Sequence, residues 1–191
     1  MVETRMNQPD MIRVWDPLVR IFHWLLAASF AVAWYTQEAN YELHLQAGYT
    51  IIGLVCFRIF WGLIGPTHAR FTDFVTGPHR VLDYTKSLLR QQASRHLGHN
   101  PAGGMMVLLL LLGLTVVTIS GIALDGAENW SGPLAEMELY RHKQMILDIH
   151  VWSTNILLVL IPLHILGVIH ASIAHRENLI KAMISGNKRS S

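Results

Sequence analysis

The sequence predicts an all-α integral membrane protein, a four-helix bundle with both termini in the cytoplasm. Hydrophobic residues make up 51% of the 191 positions and charged residues only 15%, whereas soluble proteins average about a quarter charged. The apolar residues are concentrated in four blocks, each near or above the roughly 20 residues needed to cross the hydrocarbon core. Most of the basic residues fall on one side of those blocks.

The four blocks are predicted to be membrane-spanning helices because backbone groups in hydrocarbon must be satisfied within their own segment. Their predicted bounds are 18–36, 45–64, 103–124 and 146–174. The first is slightly short, and the last is long enough to tilt or to project beyond the membrane. The alternative is a soluble bundle of buried helices, but the uncharged run through the third block argues against it.

The distribution of Lys and Arg predicts the orientation. Of the 15 basic residues, only Arg141 and Lys143 fall on the side opposite the termini, so the positive-inside rule predicts cytoplasmic termini. The segment before the first block lacks an apolar core, and no cleavable signal peptide is expected. The net charge of +2 gives no support for nucleic-acid binding.

Between the second and third spans, residues 78–97 are predicted to form a basic amphipathic helix on the inner surface. This helix is expected to cover the inner end of the bundle, and the alternative is a docking site for a cytoplasmic partner. Residues 1–191 are expected to form one domain, since no repeat or low-complexity tract is evident.

Four histidines, His23, His44, His150 and His164, lie in or beside the spans. An imidazole inside a membrane is costly without a partner, so each is a candidate functional residue. From His150 to His164 a helix rises about 21 Å and returns to within about 40° of the same face. His44 is expected at the depth of His150 and His23 at that of His164. The sequence therefore predicts an outer pair and an inner pair.

A pair of imidazoles is the axial ligand set of six-coordinate haem iron, since the porphyrin supplies the other four nitrogens. Zinc is the alternative metal, but it prefers four N or S ligands held close together. Without any metal, each histidine would simply hydrogen-bond to a neighbouring helix. The single cysteine, Cys56, excludes covalent attachment through a C-x-x-C-H motif. We therefore expect two haems held by axial ligation and packing alone.

Other residues are weaker candidates for this site. Arg58 is expected either to pair with a propionate of the inner haem or to snorkel to the lipid headgroups. His142 is the best alternative outer ligand, whereas His170 falls on the face of its helix opposite His150. Solvated or capping roles are expected for His142 and for the four histidines of the inner loop, His68, His79, His96 and His99.

Small residues beside the proposed ligands, Ala27, Gly48 and Gly53, would leave room for a flat macrocycle. Their alternative role is helix packing, the commoner use of small residues in membrane helices.

Several motifs extend over nearly the whole chain. They are Val14-Trp15-Asp16-Pro17, Arg20-Ile21-Phe22-His23-Trp24, His44 through Gly48-Tyr49 to Arg58 and Trp61-Gly62, Gly98-His99-Asn100-Pro101, and the His150 and His164 pair. Together they resemble the bacterial di-haem cytochrome b561 family, which is close to the b-type cytochrome subunits of nickel-iron hydrogenases. The resemblance implies a four-helix bundle with two b haems that exchanges electrons with the quinone pool. The matching ligand positions are His23, His44, His150 and His164.

We therefore expect an electron carrier of the inner membrane, with membrane lipid, quinone and a periplasmic redox protein as partners. That protein is a hydrogenase or other dehydrogenase, or a c-type cytochrome docked on the acidic outer loop from Asp125 to Glu138. A freestanding superoxide:quinone oxidoreductase is the alternative. The non-redox alternative is a helical membrane scaffold or metal transporter, but transporters commonly contain inverted repeats, and none is evident here.

Overall fold

The computed structural model describes residues 11–190. The α-helices and β-strands, in chain order, are β1 (Met11–Arg13), α1 (Pro17–Thr36), α2 (Tyr41–Ile64), α3 (Phe71–Phe74), α4 (Pro78–Leu89), α5 (Pro101–Asn129), α6 (Lys143–Ala174), α7 (Leu179–Ser185) and β2 (Asn187–Arg189). Short 3-10 helices occupy Thr67–Ala69, Ala135–Met137 and Leu139–His142. Within residues 11–190, four helices are long and apolar enough to cross a membrane, namely α1, α2, α5 and α6. The predicted all-α membrane bundle is confirmed.

Each of the first three spanning helices begins before its apolar block because a polar residue caps it upstream. The side chain of Asp16 accepts hydrogen bonds from the backbone N–H groups at the start of α1. Asn40 caps α2 and Asn100 caps α5 in the same way. These side chains satisfy backbone donors that have no partner within the helix. Hydrophobicity alone does not reveal them, so the helices are longer than the apolar blocks.

The inner surface helix is shorter than predicted, since α4 ends at Leu89 and not at residue 97. Gln91 adopts a positive φ of 59°, a left-handed conformation that stops a right-handed helix. Beyond it, the carbonyl oxygens of His96 and Leu97 accept hydrogen bonds from the Lys188 ammonium group at 3.1 and 3.0 Å. The chain after α4 is therefore held by the C-terminal segment.

The bundle packs mainly through α5 against α6 and α1 against α2. Its core lies midway along the spans and consists entirely of apolar side chains: Phe22, Ile51, Val55, Leu111, Leu114, Val117 and Leu157. Leu157 is fully buried, and Gly113 of α5 faces it so closely that a Cβ there would lie 2.8 Å from its Cδ2 atom. The middle of the bundle is therefore tightly packed and excludes water.

The two ends of the described chain meet at one end of the bundle. The short strands β1 and β2 pair antiparallel, with Ile12 opposite Lys188. The Lys188 side chain is only 4% exposed and lies 3.3 Å from one oxygen of Glu177, while Arg95 lies 3.1 Å from the other. This network, here called the terminal clasp (Arg95, Glu177 and Lys188 with β1 and β2), joins three separate segments. That this end faces the cytoplasm stays a prediction from the charge distribution.

Acid is expected to weaken the terminal clasp. Burial alone would raise the pKa of Glu177, but the hydrogen bond from Arg95 and the charge of Lys188 outweigh it, so the pKa lies below its ordinary value of 4.5. Because the pKa of this carboxyl group is lower in the folded than in the unfolded protein, the ionised carboxylate stabilises the fold at pH values above the unfolded-state pKa. This stabilisation is lost as the pH falls through the folded-state pKa. Glu177→Gln should therefore lower the Tm at neutral pH and flatten the decline of Tm below about pH 5.

The control for this prediction is Glu38→Gln, because Glu38 is exposed. Thermal unfolding of the detergent-solubilised variants, followed between neutral and acid pH, measures the effect. An acid decline in Glu177→Gln as steep as in the wild type would contradict the contribution of this carboxylate.

Candidate functional site

The outer pair of histidines is brought together across the bundle. His44 of α2 and His150 of α6 have ring centroids 6.3 Å apart. The Nδ1 of His44 lies 2.8 Å from the carbonyl oxygen of Ala33, and the Nδ1 of His150 lies 2.9 Å from that of Val117. A carbonyl can only accept, so in each ring Nδ1 must carry the proton and a neutral imidazole keeps its lone pair on Nε2. Both rings are therefore oriented and in the tautomer that ligates a metal through Nε2.

A cavity of about 350 Å³ surrounds this outer pair and is lined by all four spanning helices. Two glycines keep it open. Gly48, one turn after His44, borders space with no atom within 4 Å of where its Cβ would be. A Cβ on Gly121 of α5 would lie 3.0 Å from the Cε1 atom of His150. The cavity thus has room beside the rings because the residues facing it lack side chains.

The inner pair is also brought together. His23 of α1 and His164 of α6 have ring centroids 6.4 Å apart. The Nδ1 of His23 is buried and has no hydrogen-bond partner within residues 11–190, so this ring lacks the backbone acceptor that orients each outer ring. The edge of the Trp24 ring packs against it at 5.1 Å.

An apolar layer separates the two pairs. Leu157 lies midway between His150 and His164 on α6, seven residues from each. Ile51 lies seven residues after His44 on α2. Leu157 and Ile51 are 0% and 2% exposed. This spacing is close to two helical turns, so these side chains occupy the same face of each helix as the histidines, midway between the sites.

The ring separations fit two imidazoles bound on opposite sides of one metal ion. A metal–nitrogen bond of about 2 Å and a further distance of about 1 Å from nitrogen to ring centre place such centroids about 6 Å apart. No cluster of three or more His, Cys, Asp or Glu side chains that could hold a metal occurs in residues 11–190. Each pair thus offers two of the ligands of an octahedral ion and fits a macrocycle that supplies the other four, as haem does. Zinc prefers four N or S ligands, and each pair offers two.

Arg58 faces the interior of the bundle and does not snorkel. Arg58 lies fourteen residues after His44 on α2, just as His164 lies fourteen residues after His150 on α6. Arg58 is therefore at the depth of the inner pair. Its side chain is 2% exposed. Its guanidinium lies 5.0 and 5.8 Å from the ring centres of Phe71 and Phe74. Among the residues described, its Nη1 has no hydrogen-bond partner.

Three other histidines have roles outside the two pairs. His170 is exposed on α6, with its Nε2 3.4 Å from the carbonyl oxygen of Leu88. His68 is within 3.1 Å of an Asp73 oxygen. His142 is exposed at the residue before α6, away from the outer cavity lining.

The expectation of a solvated or capping role for His99 is wrong. Its ring packs between Trp15 and Phe74, with centroid distances of 4.7 and 4.6 Å. Its Nδ1 is buried, without a hydrogen-bond partner in the described part of the chain. Burial and then the charge of Arg58 lower the pKa of His99 to about 3, so the ring is neutral at neutral pH. The signal in the sequence is that His99 directly precedes the cap of α5, where the chain turns into the bundle.

The tautomer of the outer pair can be measured directly. In metal-free protein with 15N-labelled histidine, we expect His44 and His150 to carry the proton on Nδ1, because each Nδ1 faces a carbonyl oxygen. The 15N chemical shifts distinguish the two ring nitrogens, and the substitutions His44→Asn and His150→Asn assign the signals. Protonation on Nε2 in either ring would contradict the orientation described above.

Two curated proteins resemble this chain over most of their length. A probable Ni/Fe-hydrogenase B-type cytochrome subunit of Rhizobium leguminosarum bv. viciae is 27% identical, over 93% of this chain and 88% of the relative. A probable subunit of the same description from Azotobacter vinelandii is 25% identical, over 96% of this chain and 91% of the relative. No solved structure shows significant similarity.

The family model described as prokaryotic cytochrome b561 matches residues 14–186. This match includes both histidine pairs, Arg58 and His99. Membership of a cytochrome b family implies b-type haem and electron transfer, in agreement with the two imidazole pairs and the four apolar helices. The chain is therefore a multi-pass membrane b-type cytochrome and belongs to the prokaryotic cytochrome b561 family.

Proposed function

We propose that the protein binds two b-type haems and carries electrons across the bacterial inner membrane, between a periplasmic redox partner and membrane quinone. The outer haem is held by His44 and His150 and the inner haem by His23 and His164. One observation carries this proposal: two facing imidazole pairs, with ring centroids 6.3 and 6.4 Å apart, share the single helix α6 and lie at different depths along it.

The bound haem supplies reversible one-electron chemistry, and the protein controls where that chemistry occurs. The carbonyl oxygens of Ala33 and Val117 fix the outer rings, and hydrogen bonding of this kind increases the basicity of the ligating nitrogen. Leu157 and Ile51 keep the space between the two sites dry. The rise of α6 between its two histidines separates the two depths by about 21 Å, which covers most of the hydrocarbon core.

The proposed partner follows from the similar proteins. Both are described as probable subunits of Ni/Fe-hydrogenases, and they align with almost all of this chain. We therefore propose that a hydrogenase on the periplasmic side donates electrons to the outer haem, and that quinone accepts them within the membrane. The prediction that the termini are cytoplasmic assigns the end opposite the terminal clasp to the periplasm.

The haem content of single-histidine variants tests the ligand assignment. A pyridine haemochrome assay should give two haems per wild-type chain. His44→Ala or His150→Ala should lose the outer haem only, and His23→Ala or His164→Ala the inner haem only, because neither site has a third ligand among the described residues. The control is His170→Ala, since His170 lies on the same helix as two of the ligands but is exposed.

Either of two results would contradict this assignment. One is a wild-type stoichiometry below two in protein produced with adequate haem. The other is full haem content in any of the four ligand variants.

Haem reduction in isolated membranes tests the electron donor. Addition of hydrogen should reduce the haems in membranes that contain the hydrogenase, and the reduction should be lost when the hydrogenase is absent or when His44 is replaced by Ala. The hydrogenase should also co-purify with the protein. Quinone reduction driven by superoxide in the isolated protein, without any partner, would contradict the proposed donor and support the freestanding oxidoreductase.

A further inference from the structure

Two buried side-chain nitrogen atoms at the inner end of the bundle have no hydrogen-bond partner among the described residues. Arg58 is 2% exposed, and within the described residues neither its Nη1 nor the Nδ1 of His99 has a hydrogen-bond partner. A buried donor without an acceptor costs about 1–3 kcal/mol, and more when the group is charged. Their presence indicates an acceptor that is not part of the polypeptide.

The two residues pack against the same aromatic ring, that of Phe74. The guanidinium of Arg58 is 5.8 Å from the centre of the Phe74 ring, and the imidazole of His99 is 4.6 Å from the same ring. The charge of Arg58 is the strongest of the charges that lower the pKa of His99. Both residues therefore lie in one aromatic environment at the inner end of the bundle, within range of each other's charge.

These donors are also next to the inner histidine pair. The spacing from His44 to Arg58 on α2 equals the spacing from His150 to His164 on α6, so Arg58 and His164 both lie at the inner depth. His99 directly precedes Asn100, the cap of α5, at the same end of the bundle as Arg58 and His164. The acceptor would thus lie at the edge of the inner site.

The chemistry of the donors specifies an anion. Arg58 forms no ion pair with any described carboxylate. The nearby Asp16 uses one oxygen to cap α1, and its other oxygen lies 3.4 Å from the indole nitrogen of Trp61. A guanidinium and a neutral imidazole N–H together suit a carboxylate, to which charge-assisted hydrogen bonds are the stronger kind.

We propose that His99 and Arg58 together bind a propionate of the inner haem, with His99 donating from Nδ1 and Arg58 from its guanidinium group. This inference rests on the proposed inner haem and adds a residue outside the four axial ligands. His99 is a positioning residue in this role. By hydrogen-bonding to the carboxylate it offsets negative charge near the iron, and this favours the reduced haem.

Redox titration of the full-length protein tests the role of His99. The inner component is first identified as the one missing from His23→Ala. We expect His99→Leu to lower the midpoint potential of the inner component and to leave the outer one unchanged. His99→Asn should retain a potential close to that of the wild type, because the Asn amide nitrogen occupies nearly the position of Nδ1. The control is His96→Leu, since His96 is nearby in the chain and packs on Tyr84; it should shift neither component.

A double-substitution cycle tests whether Arg58 and His99 bind the same group. The potential shift in the Arg58→Met, His99→Leu double variant should be smaller than the sum of the single shifts, since both remove contacts to one carboxylate. Reduced-minus-oxidised infrared spectra should show altered carboxylate bands in His99→Leu and not in His96→Leu.

An unshifted inner potential in His99→Leu, or fully additive shifts in the double variant, would overturn the role of His99 without affecting the two-haem proposal. A wild-type protein with no inner component would instead contradict the proposed function.

If the His99→Leu variant does not accumulate, the midpoint potentials of the His99→Asn and His99→Gln variants are compared instead. Gln places its amide nitrogen near the other ring nitrogen, so it should lower the inner potential, and equal potentials in Asn and Gln would overturn the proposal.

Discussion

The structure depends on the need of a polar imidazole for a partner when it lies within hydrocarbon. Four imidazoles in the spanning bundle face one another in two pairs, and α6 contributes one ring to each pair. Because these two rings are carried by one continuous helix, the depth of one site fixes the depth of the other. The other two imidazoles, on α1 and α2, must match those depths, and the apolar core between the two pairs sets their separation.

The two sites differ in how they are supported. The outer rings are held by carbonyl oxygens of neighbouring spanning helices, so this site is organised by the bundle alone. The inner site is bordered by Arg58 and His99, and β1 and the terminal clasp lie at the same end of the chain. Cations near the inner site would favour the reduced form of the haem proposed there, whereas acidic residues are frequent on the outer side. We therefore expect the inner haem to have the higher potential.

The length of the apolar blocks was sufficient to predict the four spans, and the helical repeat was sufficient to pair the histidines by depth, because both are properties of a single helix. They did not predict the burial of His99 or the end of α4 at Leu89. His99 is enclosed by Trp15 and Phe74, and the chain beyond α4 is held by Lys188. Those partners are distant in sequence, so no local pattern reveals them. That the four histidines ligate haem iron stays a prediction from their geometry and from the family.

The most direct measurement of the central claim is an anomalous difference map collected at the iron absorption edge from crystals of the haem-loaded protein. The account predicts two iron peaks, one between His44 and His150 and one between His23 and His164, separated by about 21 Å along the bundle. A single peak, or iron located away from either pair of rings, would contradict it.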